Sequence, residues 1–386
     1  MKMVQNMEKP IYLDYNATTP VDHEVAKEMI PFIDSLYGNP SSSYSIGRSN
    51  KEAVEKARSQ VAEMINCNPE EIVFTSCATE SNNLAIKGIA WANSDKGRHI
   101  ITSAIEHPAV TEVCKYLGSK GFEITYIPVD QNGRVDPEKV KEAIRQDTAL
   151  ITIMHANNEV GTIQPIREIG AIARHKNIAF HTDASQSVGK IETDVNKLGV
   201  DLLTIAGHKL YAPKGIGALY IRKGTQIENL MHGAGQEKGI RPGTENVMHT
   251  IGLGKACEVA LRDFKQNQHN MQLSRDRLLD GLVSHLGNKV HITGNLANCL
   301  PNTLSLAFDN ISAHALASFI SSDVLISTGS ACHSGETTIS SVLQAMDLDF
   351  RVAASTVRIS TGKRTTEEEI DFAIEVLVKA IKELSL

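Results

Sequence analysis

Residues 178–223 read IAFHTDASQSVGKIETDVNKLGVDLLTIAGHKLYAPKGIGALYIRK. Three segments in it, 178–184 (IAFHTDA), 201–207 (DLLTIAG) and 217–223 (GALYIRK), are short, apolar and β-branched. That is the pattern of strands buried on both faces. The third follows the second too closely for a crossover helix, so it is predicted to run antiparallel. Upstream, 71–76, 99–103, 123–129 and 149–156 repeat the strand pattern. The intervening 108–119, 136–146 and 165–176 are predicted helices. Strand, helix, strand at this spacing predicts an α/β fold: a mostly parallel sheet with helices on both faces.

Ser49-Asn50-Lys51-Glu52 reads as a capping box before the stripe Ala53, Val54, Ala57, Val61 and Ile65. Thr366 to Glu369 likewise caps a helix with the stripe Ile370, Ala373, Ile374, Leu377, Ile381 and Leu384. Residues 246–285 have few helix breakers and predict one long or kinked connecting helix. Beyond it, strands at 303–308, 324–328 and 356–360 alternate with helices in a smaller α+β unit. The length, 386 residues, suits two to three domains at roughly 150 residues each.

A net charge of −6 lacks the basic footprint of a general nucleic-acid binder. No apolar run approaches the roughly 20 residues that span a bilayer. Residues 1–15 show neither a signal-peptide core nor an Arg-rich transit character, so a cytoplasmic protein is expected. The cysteines at 67, 77, 114, 257, 299 and 332 contain no CxxC pair. They suit neither a disulfide framework nor a zinc site, and no metal is expected.

The chemistry collects at the predicted strand ends. No GxxxxGK[ST] occurs, and Gly233-Ala234-Gly235 lacks dinucleotide spacing. Asp183 closes one strand and Lys209 follows the next, where an open parallel sheet places its ligand crevice. Pyridoxal phosphate needs such a pair, a lysine for the Schiff base and an acid for the pyridinium. The plainer alternative is that Asp183 caps a turn and Lys209 is solvated. Backbone N–H groups and the Thr79 hydroxyl at a helix start would receive a phosphate, or Thr79 is an ordinary N-cap. His107, just past another strand, is placed to stack on a ring and move protons, or is structural. His155 and Asn158 mark a fourth strand end. Five cysteines read as packing residues, whereas Cys332 lies among Gly and Ser in an expected mobile loop, as a reactive thiol would.

Together these segments resemble the cysteine desulfurases of the NifS/IscS class, across almost the whole chain. The markers include YLDYNATTP (12–20), YGNPSS (37–42), ATESNN (78–83), Glu106-His107, NNEVGT (157–162), Asp183-Ala184-Ser185-Gln186, Gly207-His208-Lys209, RPGT (241–244), Ser330-Ala331-Cys332 and VRIS (357–360). The resemblance implies a fold type I pyridoxal-phosphate transferase, aspartate aminotransferase-like. Its large sheet domain would span 16–262, and a small α+β domain would comprise 1–15 plus 263–386, with the cysteine loop at about 327–341.

It implies that Lys209 carries the cofactor, Asp183 faces its pyridinium and His107 stacks on its ring. Gln186 and Asn158 would contact ring substituents. Ala78, Thr79 and His208 would hold the phosphate, with Thr244 from the second subunit of a homodimer. Arg358, with Asn158, would bind the substrate carboxylate. Cys332 would take sulfur from L-cysteine as a persulfide and pass it to acceptor proteins such as an iron–sulfur scaffold.

Two positions depart from the family. Ala206 stands where a phosphate-binding Ser is common, and His333 follows Cys332 where Thr is common. Cys-His-Ser and RPGTEN (241–246) are similar to selenocysteine lyases, which leaves selenocysteine as an alternative substrate. An aminotransferase and a non-catalytic pyridoxal-phosphate scaffold are the remaining alternatives.

Overall fold

The computed structural model describes residues 10–385 apart from 329, 334 and 335; for 330–333 and 336–338 it describes the backbone alone. Seven strands form the main sheet, in the order Ile72–Thr75, Gly217–Ile221, Leu202–Ala206, Ala179–Asp183, Thr148–Thr152, His99–Ser103 and Glu123–Ile127. Gly217–Ile221 is antiparallel to both neighbours, and the other neighbouring pairs are parallel. The short 206–217 connection dictates that single reversal, as expected from the sequence.

The five central strands are buried on both faces, or nearly so, because helices cover both. Ser45–Ile65, Ile166–His175 and Val247–Arg262 pack one face around Val61, Phe180 and Ile205. Ala78–Ala92 and Pro108–Gly118 pack the other around Ile86, Ile100 and Leu219. Glu123–Ile127 departs from the expectation of full burial, since only Ile127 is buried. It is an edge strand, so its outer residues meet solvent.

The predicted connector is two helices, Val247–Arg262 and Phe264–Leu286, broken at Asp263. Beyond it lies a four-stranded antiparallel sheet in the order Ser327–Thr328, Thr356–Ser360, Thr303–Phe308 and Val290–Ile292. The Glu367–Leu384 helix begins with the expected capping box at Thr366 and Glu369. Its buried Ile370, Ala373, Leu377 and Ile381 close a second core with Leu278, Leu306 and Ile359. Each such leucine or isoleucine contributes about 1.5–3 kcal/mol. Ile11 and Leu13 join this core, and Ile11–Tyr12 pairs in parallel with Val324–Leu325.

Two local expectations are corrected. The Ser45–Ile65 helix starts before Ser49, with Tyr44 at the cap. Asn50 does not sit in a capping box; its side-chain amide donates to Leu36 O at 2.9 Å. The segment around Cys332 is expected to be a loop, yet the backbone of Ser330–His333 pairs antiparallel with that of Glu336–Ile339, setting Cys332 opposite Thr337. β-branched Thr337, Thr338 and Ile339 favour that extended pairing.

Among the described residues, no helix is long and apolar enough to cross a membrane, and no cluster of three His, Cys, Asp or Glu side chains is placed to hold a metal ion.

Candidate active site

The carboxyl ends of the parallel strands open on a cavity of about 410 Å³. Asn158, Asp183, Gln186, His208, Lys209 and Arg358 line it, opposite Ala78, Thr79 and His107. A larger groove of about 630 Å³ runs along the amino ends, by Thr148 and Ala179. The chemistry-bearing residues converge only on the first.

Asp183 is the last residue of its strand and buried. Its Oδ1 accepts from Ser185 N at 2.9 Å, so it does cap the turn. Its Oδ2 accepts from Asn82 Nδ2 at 2.7 Å, on the cavity side. The one carboxylate thus caps the turn and also lines the cavity. Below it, His181 bridges Thr152 and Thr204, and burial pushes its pKa down to about 4. This base stays neutral.

The Leu202–Ala206 strand runs into a single 3₁₀ turn, Gly207–Lys209, which swings Lys209 into the cavity. Its Nζ donates to Ala17 O at 2.6 Å and to Asn16 O. Burial, reinforced by Arg358, lowers its pKa to about 8, against the opposing pull of Asp14 and Asp183. An amine in that range is readily neutral and nucleophilic. Adjacent His208 shares a hydrogen bond with Thr18 Oγ1 at 3.1 Å, and burial lowers its pKa to about 4.

His107 caps the Pro108–Gly118 helix, its Nδ1 accepting from Ala109 N at 3.1 Å. The proton of the neutral ring therefore sits on Nε2. Although its ring is solvent-accessible, the surrounding protein desolvates it and lowers its pKa, with Lys209 adding to the shift and Asp183 opposing it.

The Ala78–Ala92 helix begins at the cavity with Cys77 as N-cap, and no side chain caps it. Thr79 lies inside the first turn and is not the cap. Cys77 itself lines the cavity and is not the packing residue expected. The strand beneath can approach because residue 217 is glycine: a Cβ there would lie 2.8 Å from Cys77 C and 3.1 Å from Ala78 N. Ala206 lines the same end.

Arg358 enters from the second sheet, at the centre of Thr356–Ser360. Its Nη2 donates to Asp14 Oδ1 at 2.6 Å and its Nη1 to Asn158 O at 3.0 Å, while its buried Nε has no partner.

Some expected residues are not brought here. Thr244, expected to serve the site of a second subunit, lines a separate cavity of about 150 Å³ with Ser76 and Arg241. His155 is buried beneath the site and does not line it. The side chain of Cys332 lies outside the described residues. Cys67, Cys114 and Cys257 are packed thiols pushed up to about 12, and Cys299 to about 11, all chiefly by burial.

Sequence reasoning missed Asp14, Asn16, Asn82, Glu106 and Lys190. Asp14 and Asn16 stand in a quoted motif, but Arg358 lies 344 residues from Asp14 and Lys190 lies 174 from Asn16. Nothing local signals Lys190.

The donor set fits pyridoxal phosphate. An uncapped helix start suits a dianion. A paired carboxylate faces a low-pKa lysine across one cavity. An arginine with a buried, unpartnered Nε lines the same cavity.

Residues 11–372 match the family model for aminotransferase class-V. The chain belongs to the class-V aminotransferase family. Among its curated relatives, the cysteine desulfurase IscS of Dictyoglomus turgidum is 46% identical over 98% of this chain and 96% of its own. Among solved structures, a NifS-like protein superposes with a TM-score of 0.90 at 42% identity, covering 97% of this chain and 99% of that one. SspA in complex with cysteine superposes with a TM-score of 0.79 at 39% identity, covering 92% and 99%. The class-V fold type I framework, pyridoxal-phosphate dependence and desulfurase kinship expected from the sequence are thereby established.

Proposed function

We propose that this chain is a pyridoxal-phosphate-dependent cysteine desulfurase that turns L-cysteine into L-alanine and leaves the sulfur as a persulfide on Cys332. The observation that carries this reading is the convergence of Lys209, Asp183 and Arg358 on one cavity. Pyridoxal phosphate supplies an electron sink that lets bonds at the substrate Cα and Cβ break.

Lys209 would carry the cofactor and, once released from it, move the Cα proton; its depressed pKa suits that exchange. Asp183, oriented by Asn82 and Ser185, would hold a proton on the ring nitrogen. His107 would stack on the ring and offer its Nε2–H, while Gln186 and Asn158 contact ring substituents. Ala78, Thr79 and His208 would hold the phosphate, with Thr244 of a second subunit. Arg358 would grip the substrate carboxylate, a task that its planar fork suits.

Cys332, as thiolate, would form an S–S bond to the substrate sulfur as the C–S bond breaks. The substrate carbon keeps the electron pair and, protonated, leaves as alanine. Sulfur is oxidised as carbon is reduced, so no outside oxidant is needed. The persulfide would go to an acceptor protein, for which iron–sulfur assembly is our reading from the relatives' kinship. The enzyme would act as a homodimer, with a large domain at 16–262 and a small one at 1–15 plus 263–386. Five free thiols among the described residues suit the reducing cytoplasm.

The test uses purified holoenzyme. Wild type should be yellow, and borohydride should trap the cofactor on Lys209. Lys209→Ala should abolish trapping, and retained trapping would sink the assignment. Cys332→Ala should keep the colour and lose sulfide release from cysteine. Cysteine is favoured over selenocysteine because both the named relative and the SspA complex point to cysteine.

A further inference from the structure

Lys190 is a buried lysine, 5% exposed, whose described partners are amide oxygens and not a carboxylate. It does not line the 410 Å³ cavity but lies behind two residues that do. Its Nζ donates to Gln186 Oε1 at 3.0 Å and to Asn16 Oδ1 at 2.9 Å. Burying an ammonium without a carboxylate is costly, and a leucine or methionine would fill the space without that cost. Burial, with Lys209 and Arg358 nearby, holds its pKa well below the ordinary lysine value. Even the neutral amine keeps two N–H bonds for the two oxygens it meets.

The consequence lies in amide orientation. A Gln or Asn side chain can point either end at a neighbour, and its partners decide which. With Lys190 donating to Oε1, the Gln186 amide must turn its nitrogen away, and Nε2 donates to Asn16 O at 2.9 Å. With Lys190 and Asn302 both donating to Asn16 Oδ1, Asn16 Nδ2 must face Thr303 Oγ1 and Asn158 O. The same Asn16 carbonyl receives Lys209 Nζ. One hidden amine therefore orders Gln186, Asn16 and, through Asn16, the resting place of Lys209.

We propose that Lys190 is a positioning residue for the desulfurase site: it fixes the Gln186 amide with Nε2 on the Asn16 carbonyl and so locks the Asn16 peptide on which Lys209 rests. This rests on the cofactor and Lys209 assignments above.

The test is a pH titration of cofactor colour in holoenzyme, with thermal melting to verify folding. Lys190→Met should retain colour and borohydride trapping at Lys209. Its colour-change midpoint should shift by about one pH unit, in the same direction as in Gln186→Ala. Lys190→Met/Gln186→Ala should shift no further than Gln186→Ala, because both changes remove the same oriented amide. An unmoved midpoint in a folded Lys190→Met, or a double variant whose shift is the sum of the singles, overturns the proposal. If Lys190→Met does not fold, Lys190→Gln carries the test: its shorter amide should shift the midpoint the same way, and an unmoved midpoint again overturns it. Wild type that traps no cofactor would instead fail the underlying cofactor reading.

Discussion

Arg358 Nη2 sits 2.6 Å from Asp14 Oδ1, a pair that joins an inner strand of the second sheet, Thr356–Ser360, to the segment just after Ile11–Tyr12. Both side chains are largely buried, so the bond is short of competing water. Asp14 occupies one guanidinium nitrogen, and the carbonyl of Asn158 occupies another. The head is thereby aimed before any substrate arrives, leaving Nε without a partner. Preorganisation of this kind lowers the cost of binding a carboxylate.

Replacing Arg358 with Lys keeps the charge but loses the planar fork, and kcat/KM for cysteine should fall about 100-fold. Asp14→Asn keeps the shape and weakens the aim; KM should rise about tenfold with kcat less affected. Steady-state kinetics on both variants check this. An Asp14→Asn enzyme with unchanged KM would show that Asp14 does not position the arginine.

Lys209 should set the pH dependence of cofactor capture by the cofactor-free protein. Its pKa falls from 10.5 to about 8, so about a tenth of the molecules carry the neutral amine at pH 7. The capture rate should rise with pH to a plateau, with a midpoint near 8. Arg358 pushes this pKa down and Asp14 pulls it up. Arg358→Leu should therefore move the midpoint upward and Asp14→Asn downward. Between pH 8 and 10.5 the unfolded chain binds more protons than the folded one at this site, so this lysine's contribution to apoprotein stability rises with pH there. Stopped-flow absorbance against pH reads the midpoint, and identical midpoints in all three proteins would remove Lys209 from this role.

Much of this site was legible because a parallel sheet gathers strand ends whatever the details of its helices. Asp183, His107 and Lys209 could be placed from β-branched runs alone, each run being too short and apolar for anything but a buried strand. Misreadings arose where distant contacts overrode local signals. Ser49 looked like a cap, but Asn50 finds Leu36 O, and the buried Gly47 lies close to Asn39, so the helix gains an earlier turn. Thr79, with Asn82 three residues on, has the local pattern of a cap, but the helix starts at Ala78, with Cys77 as its N-cap. Asn16 and Lys190 lie 174 residues apart, and no window of sequence contains both.

Gly217 should prove sensitive to the smallest enlargement. A methyl group would meet Cys77 C at 2.8 Å and Ile205 O at 2.9 Å, all of it backbone that cannot step aside cheaply. Gly217→Ala should cost about 1–3 kcal/mol and displace the start of the Ala78–Ala92 helix. Melting temperature should drop, and the cofactor should be lost faster on dilution than from wild type. Loss of stability with unchanged cofactor retention would show that the helix start is not the phosphate site.

Glu106 offers a last test through stability. It is buried, its Oε1 accepting from Ser103 Oγ at 2.5 Å and from Met154 N at 2.8 Å, while Oε2 has no partner. Burial raises its pKa to about 8, with Asp183 adding to the shift and the Ser103 and Met154 bonds opposing it. The folded state therefore holds a proton here that the unfolded state releases near the ordinary carboxyl value of 4.5. The folded chain binds more protons between those values, so stability from this group is complete below about pH 4.5 and is lost as pH climbs toward 8. Glu106→Gln carries no such proton. Its melting temperature relative to wild type should therefore rise steadily from pH 5 to pH 8. A difference between the two proteins that stays constant across that range would mean Glu106 is ionised in the fold, with Oε2 satisfied by some other group.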